Sequence, residues 1–258
     1  MTEITFGSLF AGIGGFDLGF ERAGMSCRWQ VEINDYANRV LAKHWPDVHR
    51  ERDIRLCSGH NLGAVDVICG GFPCQDISYA GRGAGLDGER SSLFFEAVRL
   101  VRQLRPRMVV LENVAALLTR GLDRVLGTLA EVGYDAEWHC IPAAAVGAPH
   151  IRDRVFVIGC RTDVVVADTP RQFSNDSDRG RVITGRFPPG GCGSFKGSSW
   201  STEPAVGRVA HGVPKRLDRL RGLGNAVVPA VAEYIGKQIV CPQPADNGPI
   251  INPCPGFA

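Results

Sequence analysis

No apolar run in the 258 residues approaches the roughly 20 needed to span a bilayer. The opening Met1-Thr2-Glu3-Ile4-Thr5-Phe6 passes straight into a strand-like pattern, so no secretory signal is expected. A soluble, cytoplasmic protein is the resulting expectation. None of the nine cysteines (27, 57, 69, 74, 140, 160, 192, 241 and 254) stands in a C-x-x-C pair, and their spacing is irregular. That argues against a zinc site, and no metal is expected. Their odd number, without an export signal, predicts reduced thiols, most of them packing as small core or surface residues. Internal repeats are absent too. So is a strong excess of one charge, the formal net value being +2. The charge is uneven, however. Residues 151–221 hold thirteen Arg and Lys against seven Asp and Glu, a local +6 that leaves about −4 elsewhere. A polyanion-facing segment on a nearly neutral enzyme body fits this asymmetry, and so does an ordinary solvated surface.

What the chain does contain is strands alternating with helices. An apolar run from Ile4 to Phe10 is followed by the glycine turn Ala11-Gly12-Ile13-Gly14-Gly15 and a helical pattern to Ala23. Strand, glycine turn and helix form a nucleotide-cradling unit, because glycine lets the backbone approach a ligand and the helix start offers free N–H groups. A second strand, Arg28–Ile33, carries Glu32, twenty residues after Gly12 and suited to ribose hydroxyls. Asp35–Trp45 reads as a helix, and Asp53 lies near a third strand end. Further helices are expected at Ser91–Leu104 and Leu122–Val132, a strand at Arg107–Leu111 ending in Glu112-Asn113-Val114, and a final hairpin of Asp135–Ile141 with Arg154–Cys160.

The most telling stretch is Val67-Ile68-Cys69-Gly70-Gly71-Phe72-Pro73-Cys74-Gln75-Asp76-Ile77-Ser78. It begins as a buried strand, and two glycines and a proline then place Cys74 on the loop beyond. A thiol there is placed to react, whereas one inside the strand would only pack. The glycine-rich segment 79–90 that follows is long enough to serve as a lid, with Arg82 and Arg90 suited to phosphate. The predicted fold class is α/β, a doubly wound, mostly parallel sheet. Ligands in such folds bind beyond the carboxyl ends of the strands, where Gly12, Glu32, Cys74 and Glu112 all fall. Residues 161–218 are rich in Gly, Ser, Pro and Arg and read as a small irregular region. A last helix, Pro229–Ile239, follows Gly224-Asn225-Ala226-Val227-Val228, and a proline-rich tail begins at Cys241.

Five motifs in order resemble the C5-cytosine DNA methyltransferase family: Phe10–Phe16, Gly70–Gln75, Glu112-Asn113-Val114, Arg152–Gly159 and Gly224–Pro229. The resemblance covers residues 1–160 as a catalytic and cofactor-binding domain and 219–240 as a segment returning to it. Residues 161–218 would be a short target-recognition region and 241–258 a tail. It implies S-adenosylmethionine as methyl donor, S-adenosylhomocysteine as product, and double-stranded DNA as partner, with the target base flipped out. Phe10, Ala11, Gly12, Gly14, Gly15, Glu32, Asp53, Ile54, Pro73, Asn225 and Val227 would bind the cofactor, Glu32 taking the ribose and Asp53 the adenine. Cys74, Glu112, Arg152 and Arg154 would be catalytic. Gln75, Ser78, Arg82 and Arg90 would touch DNA. A monomeric, prokaryotic or phage-encoded, nucleoid-associated enzyme of a restriction-modification type is expected. The chain departs from the family pattern in its short recognition region and at Ala226, where a hydroxyl residue is common. A nicotinamide oxidoreductase would share the glycine turn and Glu32 but gives no role to Pro73-Cys74-Gln75 or Glu112-Asn113-Val114. The motifs would also suit a catalytically silent DNA-binding relative or a tRNA cytosine methyltransferase.

Overall fold

The computed structural model describes residues 3–73, 92–163 and 216–240. Strands β1 (Thr5–Leu9), β2 (Ser26–Val31), β3 (His49–Glu51), β4 (Val67–Gly71), β5 (Met108–Val114), β6 (Tyr134–Pro142) and β7 (Asp153–Arg161) form one sheet. Its order is β3-β2-β1-β4-β5-β7-β6. The first five strands pair in parallel, while β7 is antiparallel to both β5 and β6. The expected doubly wound, mostly parallel sheet is therefore present, and the hairpin appears as β6 and β7.

The near-continuous apolar strands are explained by cover on both faces. Ile68, Val109 and Leu111 join one core with Phe94 and Leu100 of α3 (Ser92–Leu104) and Val125 and Leu129 of α4 (Leu122–Glu131). Val67, Cys69 and Val110 face the other, with Phe16 and Phe20 of α1 (Gly15–Arg22) and Ile235 of α6 (Pro229–Val240). Helix α2 (Asp35–His44) is N-capped by the Asn34 side chain, which accepts from the Ala37 N–H at 3.0 Å. Helix α5 (Arg216–Asn225) crosses residue 218, where the sequence suggests irregular chain. Gly222 and Gly224 hide it, since each weakens helix propensity by about 1 kcal/mol.

Cys27, Cys57, Cys69 and Cys140 are free thiols. Cys160 is disulfide-bonded, against the expectation of reduced thiols. Cys69 is fully buried within β4 and packs as a small apolar residue. Among the described residues no helix is long and apolar enough to cross a membrane.

Helices α1 and α6 meet where α1 has glycine. A Cβ on Gly19 would lie 2.5 Å from the Pro229 carbonyl oxygen and 2.5 Å from the Ala232 Cβ. Backbone cannot yield as a flexible side chain can. Gly19→Ala should therefore destabilise the fold by about 1–3 kcal/mol despite its better helix propensity. A urea-unfolding midpoint equal to or above that of the parent protein would refute this close approach.

Candidate active site

Strand β5 runs apolar as far as Leu111 and then presents Glu112 at its carboxyl-terminal half. Register places Glu112 between Gly71 of β4 and Phe156 of β7. Arg154 lies diagonally across from it on the same face of β7, since strand residues two apart point the same way. Its Nε sits 2.9 Å from Glu112 Oε1. Glu112 is only 7 % exposed. Burial pushes its carboxyl up to about 7, and the nearby Arg154 and Arg152 charges only partly offset that. Gly71 makes room for it: a Cβ there would stand 2.7 Å from Glu112 Oε2.

Asn113 carries the next part of the site, although sequence reasoning assigns it no role of its own. It is 2 % exposed. Its Nδ2 donates to the Phe72 carbonyl at 3.3 Å, and its Oδ1 accepts from the Val114 N–H at 2.8 Å. Phe72 also packs against Phe94, ring centroids 5.1 Å apart. The chain leaving β4 is thus fastened to β5 one residue before Pro73. The signal that could have found Asn113 is a polar amide inside an otherwise buried apolar strand. Cys74 is next after Pro73; Cys74, Gln75, Ser78, Arg82 and Arg90 lie outside the described residues.

The glycine turn sits at the carboxyl end of β1. Phe10, Gly12 and Gly14 all take positive φ, at 52°, 58° and 87°. For Phe10 this is a strained conformation that the surroundings must enforce. Ala11 N–H donates to the Val31 carbonyl at 3.1 Å, tying the turn to β2. Glu32 completes the tie. Its Oε2 accepts from Gly12 N–H and its Oε1 from Asn34 N–H, both at 2.7 Å. Asp53 follows β3 and caps the short turn Ile54–Leu56 by accepting from Arg55 N–H at 3.0 Å. The hydrogen bonds and charge of Arg55 hold the Asp53 carboxyl below its usual range. Ile54 is buried beneath it. Val227 closes the other side, its carbonyl oxygen 2.3 Å from where a Gly15 Cβ would stand. Asn225 is exposed at the end of α5.

The two paired arginines have different partners. Arg154 meets Glu112, whereas Arg152 Nη2 donates to the carbonyls of Gly224 at 2.8 Å and Ala226 at 2.7 Å. A cavity of about 450 Å³ lies among α1, α2 and α5, with Leu18, Val40, Trp45 and Leu223 in its wall. It shares Gly14, Gly15 and Val227 with the expected cofactor residues, but Phe10, Glu32, Asp53 and Pro73 do not line it.

The seven-stranded, mostly parallel α/β sheet is of the S-adenosylmethionine-dependent methyltransferase type, the fold of the solved methyltransferases that it matches. The model of C-5 cytosine-specific DNA methylases matches residues 4–187, and the chain belongs to that family. It is 35 % identical over 162 residues to the Type II methyltransferase M.NgoFVII of Neisseria gonorrhoeae, covering 60 % of this chain and 43 % of that one. Over 168 residues it is 33 % identical to M.HhaI of Haemophilus parahaemolyticus, covering 64 % and 51 %. The chain thus spans about half the length of these curated relatives. A solved DNA modification methyltransferase encoded in an Escherichia coli prophage matches with a TM-score of 0.54 and 26 % identity, over 65 % of this chain and 49 % of that one. Spodoptera frugiperda DNMT2 has a TM-score of 0.53 at 21 % identity, over 66 % and 54 %, a likeness of fold.

The Glu112 carboxyl gives a pH signature. The folded chain holds this proton up to about pH 7, while an unfolded glutamate releases it near 4.5. Stability from this group is therefore complete below about pH 4.5 and is lost as pH rises towards 7, on the order of 3 kcal/mol in all. Glu112→Gln cannot titrate and should flatten that decline. Urea unfolding of both proteins between pH 4.5 and 8 checks it; parallel stability curves would show that Glu112 ionises normally in the fold.

Proposed function

We propose that this chain transfers a methyl group from S-adenosylmethionine to C5 of cytosine in duplex DNA. The observation that carries the reading is Glu112: a buried carboxyl that keeps its proton near neutrality, on the strand neighbouring the one that leads into Pro73-Cys74. The chemistry requires such an acid. C5 of cytosine is a poor nucleophile while the ring is aromatic. In this reading the Cys74 thiolate attacks C6, a C6–S bond forms, and the displaced ring electrons are neutralised by the Glu112 proton delivered to N3. C5 then behaves as an enamine carbon and would take the methyl as its bond to the sulfonium breaks, S-adenosylhomocysteine being the leaving group. Loss of the C5 proton to a base and expulsion of the Cys74 thiolate re-form the C5–C6 double bond, and the N3 proton returns to the Glu112 carboxylate. Arg154 holds the Glu112 carboxylate left by proton transfer. The base must leave the duplex to reach this edge.

The residues fit the donor. S-adenosylmethionine, when bound, supplies a methyl made electrophilic by its sulfonium. Glu32 already accepts one N–H on each carboxylate oxygen, and each oxygen retains capacity for a ribose hydroxyl. The positive-φ turn at Phe10–Gly14 leaves room for close backbone approach. Asp53, placed after β3, would take the adenine edge, with Ile54 and Pro73 beside it. Asn225 and Val227 would close the pocket from the returning segment. Duplex DNA is favoured over tRNA as acceptor because the matched family model and the more similar relatives are those of DNA methylation. Residues 161–218 would read the sequence, and their shortness suggests a short or relaxed site.

Expression in a host lacking cytosine methylation, followed by genome-wide mapping of 5-methylcytosine, reports activity, acceptor and site together. Cys74→Ser should abolish methylation and leave the dissociation constant for S-adenosylmethionine within about threefold. Wild-type turnover by the Ser variant would refute Cys74 as nucleophile. A blank map from folded parent protein would favour a silent DNA-binding role, and methyl transfer to tRNA alone would move the substrate to RNA.

A further inference from the structure

The paired arginines at the start of β7, Arg152 and Arg154, are both expected by resemblance to be catalytic. Their surroundings divide them. Arg154 is a regular strand residue on the face of Glu112. Arg152 precedes β7 and takes a φ of 38°, a left-handed conformation that non-glycine residues rarely adopt. Strain of this kind costs about 1–3 kcal/mol and persists where the surrounding structure enforces it. What it achieves here is visible in the hydrogen bonds. It turns Arg152 away from the regular strand direction and delivers Nη2 to the carbonyls of Gly224 and Ala226, on either side of Asn225. Gly224 belongs to the last turn of α5, whose end carbonyls lack helical partners and form the negative pole of the helix. A guanidinium is well suited to that pole. The clasped segment continues directly into Val227, whose carbonyl packs against Gly15 too closely to admit a Cβ. Gly15 opens α1 at the end of the turn whose Gly12 N–H is held by Glu32.

We propose that Arg152 is a positioning residue for the cofactor, holding residues 224–227 against the glycine turn, and that Arg154 alone serves the catalytic acid. The proposal rests on the methyltransferase reading above. One donor of Arg152, its Nε–H, is buried without a hydrogen-bond partner among the described residues. A direct contact to substrate through that N–H is the competing role, and the two predict different kinetics. A clasp on the cofactor wall acts on cofactor affinity, whereas a contact to the reacting base acts on turnover.

The test is steady-state methyl transfer to duplex DNA, with S-adenosylmethionine binding measured by calorimetry on the same proteins. Arg152→Met should raise both KM and Kd for S-adenosylmethionine by tenfold or more, with kcat at saturating cofactor falling less than threefold. Arg154→Met should do the reverse, lowering kcat strongly with cofactor Kd within about threefold. Arg152→Lys, which keeps a cation able to reach a carbonyl, should recover part of the lost affinity. It also carries the test if the Met variant does not fold, with cofactor Kd raised at least threefold and kcat within twofold of the parent. Loss of kcat with unchanged cofactor Kd in either Arg152 variant overturns the proposal in favour of a base contact. Absence of S-adenosylmethionine binding by the unsubstituted protein would instead overturn the methyltransferase reading.

Discussion

A carboxyl buried between two strands, with one guanidinium beside it, is the constraint around which this site is built. Glu112 would be costly in an ordinary core, and neighbouring residues make it tolerable. Gly71 gives up its side chain so that Oε2 fits. The antiparallel entry of β7 brings Arg154 to Oε1. A parallel strand in that place would require a crossover and would run in the same direction as β5, reversing the order in which its side chains pass Glu112. The change from parallel to antiparallel pairing at β5 therefore positions a cation opposite the acid. Asn113, next in the chain, faces away from Glu112 and fastens the exit of β4. Two consecutive residues of one strand thus organise the acid and the exit of β4 at Phe72 and Pro73.

The glycine-turn side of the site is built on different physics, mainly close backbone approach. Its fixed points are glycines, N–H groups and carbonyls. Gly12 N–H is anchored on Glu32, and Gly15 and Gly19 let the Val227–Pro229 backbone lie against α1. A sheet edge alone would leave this turn open on one side. The return of α6 to pack on α1, through Phe20, Ile235 and their neighbours, provides the missing wall. That explains why a helix from the far end of the sequence belongs to the same core as β1.

Much of this is legible in the sequence because it rests on local chemistry. Buried parallel strands read as apolar runs, so β1, β4 and β5 announce themselves, and the glycine turn with Glu32 twenty residues on follows from spacing. Helix α5 does not, since two glycines and a high charge content conceal the spacing of Leu217, Leu220 and Leu223. Asn113 escapes notice because a polar residue between Glu112 and Val114 looks incidental until its partner, 41 positions earlier, is known. The arginines are the least legible. Residues 152 and 154 share parity and should share a face if both belong to the strand. A single positive φ at Arg152 breaks that inference, and periodicity carries no trace of it.

That broken symmetry bears on the acid itself. Burial favours the protonated carboxyl, and each nearby guanidinium favours the carboxylate. Two arginines placed directly on Glu112 would add a second charge-assisted hydrogen bond and pull its proton affinity down towards that of an ordinary surface acid. With Arg152 clasped to Gly224 and Ala226, Arg154 is the one of the two arginines that touches the carboxylate, and Arg152 acts on it through charge. Burial then prevails, and the proton is held to about pH 7. The carbonyls at the end of α5 accept the charge that Glu112 does not, so the segment that walls the glycine turn also bears on how strongly the acid holds its proton.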